Sequence, residues 1–112
     1  MQIREEKIGD IQVMRIDEKR LDNNISSELK TEFLRLVENE NVVNLLIDLK
    51  NVEYVDSSGL GALLFGHRQI KSNTGLLKLV HANPKVKTLI KIANLETILV
   101  AFDSEREAMD SF

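Results

Sequence analysis

The chain has 112 residues, a length that suits one domain built around one core. Hydrophobic residues at 43% and charged residues at 29% exclude a disordered or fibrous class, and aromatics at 4% with no Trp require an aliphatic core. With no Cys there is neither disulfide nor thiol chemistry, and a formal net charge of -3 argues against tracking a nucleic-acid backbone.

Residues 1–20 hold no long apolar run behind a basic head, so no signal peptide is expected. No stretch approaches the ~18 apolar residues of a membrane span, so a cytoplasmic chain without membrane contact is expected. No repeat, low-complexity segment or linker divides the sequence, and residues 1–112 read as a single domain.

Residues 2–8 and 11–17 read as two strands around a tight turn at Gly9-Asp10, with Ile11, Val13 and Ile16 as apolar positions. Residues 26–39 read as a helix, because Leu29, Phe33, Leu36 and Val37 share one face; Asn24, Ser26 or Ser27 would cap it. Residues 42–49 are almost continuously apolar and β-branched-rich, the pattern of a strand covered on both faces at the centre of a sheet. Residues 52–55 continue extended toward Asp56. A second helix begins near Ser57 or Ser58 and runs to about Ser72, with Leu60, Leu63, Leu64 and His67 on one side.

Gly75 leads into a strand over residues 76–80. Asn83-Pro84 opens a third helix, Asn as the cap and Pro at the first helical position, with Val86, Leu89, Ile90 and Ala93 on its inner face and Asn94 closing it. Lys85, Lys87 and Lys91 on this helix read as a solvated face. Residues 97–102 read as a last strand. Ser104 and Glu107 match a capping box for a short helix over residues 104–111, with Ala108, Met109 and Phe112 to dock it. The expected fold is therefore α/β: a mixed, mostly parallel sheet with an N-terminal hairpin and about four helices.

One turn carries chemistry. The apolar run ends at Val55, Asp56 can cap the coming helix, and Ser57 and Ser58 lie at its N-terminus. Gly59 and Gly61 follow within the first turns, where Gly costs ~1 kcal/mol relative to Ala in an exposed helix. That cost implies a close approach, of the helix to the sheet or of a partner to the helix. A phosphate on either serine would meet free N–H groups and the positive end of the helix dipole. These rules leave Ser57 and Ser58 equivalent.

Val55-Asp56-Ser57-Ser58-Gly59-Leu60-Gly61 resembles the phosphorylation-site signature of STAS-domain anti-sigma factor antagonists. The similarity extends over nearly the whole chain, through residues 45–49 before the signature, residues 83–93 as the later helix, and Asn94-Leu95 before the final strand. The resemblance implies a STAS-like domain that binds an anti-sigma factor Ser/Thr kinase and so frees a sigma factor. It implies that the kinase phosphorylates Ser57 and that a PP2C-type phosphatase reverses this. Asp22 matches an aspartate near the family's kinase interface, and Asp56, Ser57, Ser58, Gly59, Leu60 and Gly61 match the rest of the partner-binding surface. Two departures stand out. Lys19-Arg20-Leu21-Asp22 has no Gly and no acid before Leu21, where the family often has both, and Asn94 stands where Gly is common.

The rival readings are a STAS module that is never phosphorylated, serving a transport or signalling complex, and a small hydrolase or phosphotransferase using Asp56 or Ser57. The second lacks a base: His67 lies ~15 Å farther along the same helix, and nothing places His81 nearby. Gly59-Leu60-Gly61 matches no P-loop or dinucleotide fingerprint, so no cofactor is expected. Two isolated histidines form no recognisable metal site, and Asp22, Asp48 and Asp56 read as surface caps before they read as a Mg²⁺ site. Nothing requires self-association, and a monomer is expected.

Overall fold

In the computed structural model, which describes residues 1–112, β1 (Ile3–Ile8) and β2 (Ile11–Ile16) form the expected antiparallel hairpin. Gly9 takes the left-handed conformation its turn requires, at φ 62°. β3 (Arg20–Leu21) follows, a two-residue strand that no local pattern announces. α1 (Ser26–Glu38) buries Leu29, Phe33 and Leu36. β4 (Asn44–Asp48) is buried from Leu45 onward and stands at the centre of the main sheet. β5 (Tyr54–Val55) leads into α2 (Ser57–Ser72), and β6 (Leu76–Val80) precedes α3 (Pro84–Ile92). β7 (Ala101–Phe102) and α4 (Glu105–Asp110) complete the chain.

The main sheet has the order β1-β2-β4-β6-β7, parallel throughout except for the β1–β2 hairpin. β3 and β5 pair in parallel as a separate ribbon, Arg20 beside Tyr54 and Leu21 beside Val55. The sheet's strands alternate their side chains between two apolar layers. Met14, Ile16, Leu45, Ile47, Leu77 and Leu79 pack against α1, α2 and α3 in the larger core. Ile11, Val13, Leu46 and Val80 face the other way, where Ala108 of α4 covers them with Phe102, Met109 and Phe112 at the margin. α4 is also tied down by Lys78, whose ammonium donates to the Ser111 carbonyl and hydroxyl at 2.6 and 2.9 Å.

Two expectations need correction. The final strand is confined to Ala101–Phe102, because the Leu95 carbonyl accepts from the Ile98 and Leu99 N–H groups and folds that stretch into a turn that buries Leu99. The cap of α1 is none of Asn24, Ser26 and Ser27. Ile25 occupies that position without a side-chain bond, and Asp22 organises the entry instead. Its carbonyl accepts from Ile25 and Ser26, and its carboxylate accepts from the Asn24 N–H at 3.0 Å. The extended stretch before Asp56 finds its partner in β3, outside the main sheet. The other caps are as expected: Asp56 accepts from Gly59, Asn83 from Val86, and Ser104 from Glu107.

Candidate partner-binding site

β5 ends at the buried Val55 and the chain turns at Asp56, which has extended backbone at φ -98°. Its carboxylate accepts from the Gly59 N–H at 2.9 Å and its carbonyl from the Leu60 N–H at 2.9 Å, so one residue starts α2 with both its acceptors. The Asp56 N–H donates to the Leu21 carbonyl at 3.1 Å, locking the turn to β3.

Gly59 explains why the helix can sit so close. A Cβ there would lie inside the Leu21 carbonyl and 2.9 Å from the Leu21 Cβ, so only glycine allows this approach. Gly61 is different. It is exposed, and a Cβ would meet nothing within 4 Å. The two glycines that the sequence treats alike thus answer separate needs, packing for Gly59 and an open surface at Gly61.

The structure separates the two serines as well. Ser57 is exposed and Ser58 is half-buried, and neither hydroxyl makes a hydrogen bond. As the first two helical residues, their backbone N–H groups have no helical carbonyl to bond, leaving donors at the mouth of the turn. Ser57 and Gly61 are four residues apart and share one face of α2. Gly59 and Leu60 are buried and give this surface its shape without presenting side chains.

Asp22 is placed beside the turn through the Leu21–Asp56 bond, but its carboxylate is occupied. It accepts from Arg20 Nε at 3.1 Å as well as from the Asn24 N–H, and these bonds, Arg20 first, hold its carboxyl below the usual range. The Arg20 guanidinium lies over the Tyr54 ring, 4.3 Å from its centre. Tyr54 in turn forms one wall of a groove of about 290 Å³ with Val55, Lys85, Leu89 and Ile92. Asn83 closes this corner, donating to the Glu53 carbonyl at 3.1 Å and so fixing the start of α3 against β5. On α3, Lys87 pairs with Asp103, while Lys85 and Lys91 are exposed.

A second polar cluster escaped the sequence. Arg15 on β2 donates to Asp48 at 2.8 Å, to Glu105 at 2.7 Å and to Glu6 at 2.9 Å. His81 Nδ1 stands 3.0 Å from the other Asp48 oxygen, its backbone in the left-handed region at φ 63°. Burial acts to raise the Asp48 carboxyl, but hydrogen bonds with His81, the Lys50 N–H and Arg15 outweigh it and hold it low. The Arg15 hydrogen bond, against an opposing burial effect, lowers Glu105. Asp22, Asp48 and Asp56 therefore belong to three separate arrangements. No group of three or more His, Asp or Glu side chains is placed to hold a metal. His67 sits half-buried on α2 with its Nδ1 unpartnered, and burial, then Lys71 and Arg68, hold it below its ordinary value.

A small α/β domain with a hairpin-led, mostly parallel sheet and a capped strand-to-helix turn defines a fold class and not a single activity. The chain belongs to the STAS domain family, whose profile matches residues 2–108. It is similar to the anti-sigma F factor antagonist of Paenibacillus polymyxa, 27% identical over 89 residues that make up 80% of this chain and 76% of that protein. In fold it matches an anti-sigma factor antagonist from Mycobacterium paratuberculosis, with a TM-score of 0.85 at 20% identity over 98% of this chain and 92% of that one. It also matches the anti-sigma factor antagonist SpoIIAA. The unphosphorylated form gives a TM-score of 0.81 at 20% identity over 98% of this chain and 95% of that one. The phosphorylated form, from Bacillus, gives 0.74 at 19% identity over 98% of each. No helix is long and apolar enough to cross a membrane.

Proposed function

We propose that this chain is an anti-sigma factor antagonist whose binding to an anti-sigma factor Ser/Thr kinase is switched by phosphorylation of Ser57. The unphosphorylated form occupies the kinase and releases a sigma factor; phosphorylation ends the contact, and a PP2C-type phosphatase restores it, all in the cytoplasm. The observation that carries the reading is the contrast between the two serines. Ser57 is exposed with a free hydroxyl at the first position of α2, whereas Ser58 is half-buried. The similarity to named anti-sigma factor antagonists supplies the partner class.

The physics of the switch is local. A phosphate on Ser57 adds about -1.5 to -2 charge, which the helix N-terminus and its unpaired N–H groups can accept without unfolding. A partner seated on the turn would meet that hydrated charge beside Asp56. A loss of ~3 kcal/mol of binding lowers affinity more than a hundredfold. Asp56 shapes the turn, and Asp22 and the Ser57–Gly61 face of α2 complete the docking surface.

The test is incubation with the cognate anti-sigma kinase and ATP, followed by phosphosite mapping. Phosphate is expected on Ser57 alone, and Ser57→Ala is expected to take up none. Equal labelling of Ser57→Ala moves the site elsewhere. Absence of labelling in a chain that still binds the kinase makes the turn a constant docking surface.

A further inference from the structure

Arg20 is the one side chain beside the turn whose hydrogen-bonding capacity is both fixed in place and largely unused. Its Nε is held by Asp22 and its plane by the Tyr54 ring. Its two terminal nitrogens donate to no protein group, and the side chain is 62% exposed. Tyr54 is itself 45% exposed, so the platform and the fork on it are both open to a partner.

Free arginine side chains lose several rotamers when they bind, and holding one in advance removes much of that cost. A stacked, singly paired guanidinium is therefore a receptor waiting for a planar anion. Its remaining N–H groups can form two parallel bonds to the oxygens of one carboxylate, a geometry that a lysine cannot match. β3 places this fork next to the turn, because Leu21, the following residue, accepts the Asp56 N–H. Tyr54 continues the same surface into the groove lined by Leu89 and Ile92, of which Ile92 is 73% exposed.

We propose that Arg20 is a specificity-determining contact that receives an Asp or Glu side chain of the kinase, with the Tyr54–Leu89–Ile92 groove taking an apolar side chain beside that acid. Asp22, already paired within the chain, holds Arg20 in this orientation at the edge of the same docking surface. This inference rests on the reading of the turn as a kinase-docking surface, and the experiment separates the two.

The probe is the anti-sigma kinase retained by the immobilised unphosphorylated chain. Its affinity is measured by calorimetry for wild type, Arg20→Ala, Arg20→Glu and Ser57→Glu, each first shown to unfold at the wild-type temperature. Arg20→Ala is expected to weaken binding about tenfold, and Arg20→Glu by about a hundredfold or more. A kinase variant with the facing acid changed to Lys is expected to recover binding to Arg20→Glu but not to Ser57→Glu. Affinity within twofold of wild type for Arg20→Glu, with Ser57→Glu still abolishing binding, overturns the proposal and leaves the docking reading standing. Wild-type affinity in both Arg20→Glu and Ser57→Glu removes the docking reading and the proposal together. An Arg20→Ala effect confined to the phosphorylated chain also overturns it, because the fork would then serve the chain's own phosphate.

Discussion

Arg15 and Arg20 lie on consecutive strands, yet the fold uses them in opposite ways. Arg15 is closed in by α4, its side chain 18% exposed, and it donates to three carboxylates drawn from β1, β4 and α4. Arg20 carries one carboxylate and one aromatic ring and faces solvent. The difference lies in what packs over each strand. A helix crosses the far face of the sheet above Arg15, whereas the β3–β5 ribbon leaves Arg20 uncovered. The cluster around Arg15 holds α4 to the sheet, and the region around Arg20 and the capped turn is left free to meet another molecule.

The comparison breaks most visibly if the two arginines are exchanged for alanine. Arg15→Ala strands Asp48 and Glu105 in a partly buried site without the cation that pairs with both. Removing one partner from a buried ionic cluster costs about 3 kcal/mol, and a loss of that size is expected in urea unfolding. Arg20→Ala removes an exposed pair and should change stability by no more than about 0.5 kcal/mol. Equal losses for the two variants would mean that Arg20 also holds the fold together.

Acid tests the same cluster more gently. The Asp48 and Glu105 carboxyls are held below their ordinary values in the folded chain. Their contribution is therefore complete above the unfolded carboxylate pKa of about 4 and is lost as pH falls through the lower folded values. The depressed His67 should already lower the thermal unfolding midpoint somewhat as pH falls below about 6.5, and the carboxylates should add a steeper drop below about pH 4 that is shallower in Asp48→Asn. An identical acid profile in Asp48→Asn would place the loss on other carboxylates.

How far the sequence reveals these two regions follows from the range of the interactions involved. Asp56, Asn83 and Ser104 cap their helices through bonds spanning three residues, and such local chemistry is visible in a string of letters. β4 is visible because an unbroken apolar run has few other uses. β3 is not, since two residues become a strand only by meeting Tyr54 and Val55. The Arg15 cluster joins residues separated by up to 90 positions, and nothing in the spacing of Arg15, Asp48, His81 and Glu105 brings them together. The stretch before Ala101 misleads for the opposite reason. Its apolar residues suit a strand, but Leu99 serves the core from within a turn. At the candidate site the turn itself was legible and the resemblance singled out Ser57, while the difference in burial between Ser57 and Ser58 is visible only in three dimensions.

Gly59 and Gly61 carry the comparison down to two positions on one helix. Gly59→Ala forces a Cβ into the Leu21 carbonyl, which is backbone and yields only if β3 and α2 separate. Overpacking of this kind costs about 2 kcal/mol, and the displaced turn should also weaken partner binding. Gly61→Ala meets open space in a helix interior and should stabilise the chain by about 1 kcal/mol. If Gly61 is retained so that a partner can approach α2 closely, that more stable variant will bind the kinase more weakly. A Gly61→Ala chain that gains stability and binds as well as wild type would confine the contact to the mouth of the turn and leave the α2 face outside it.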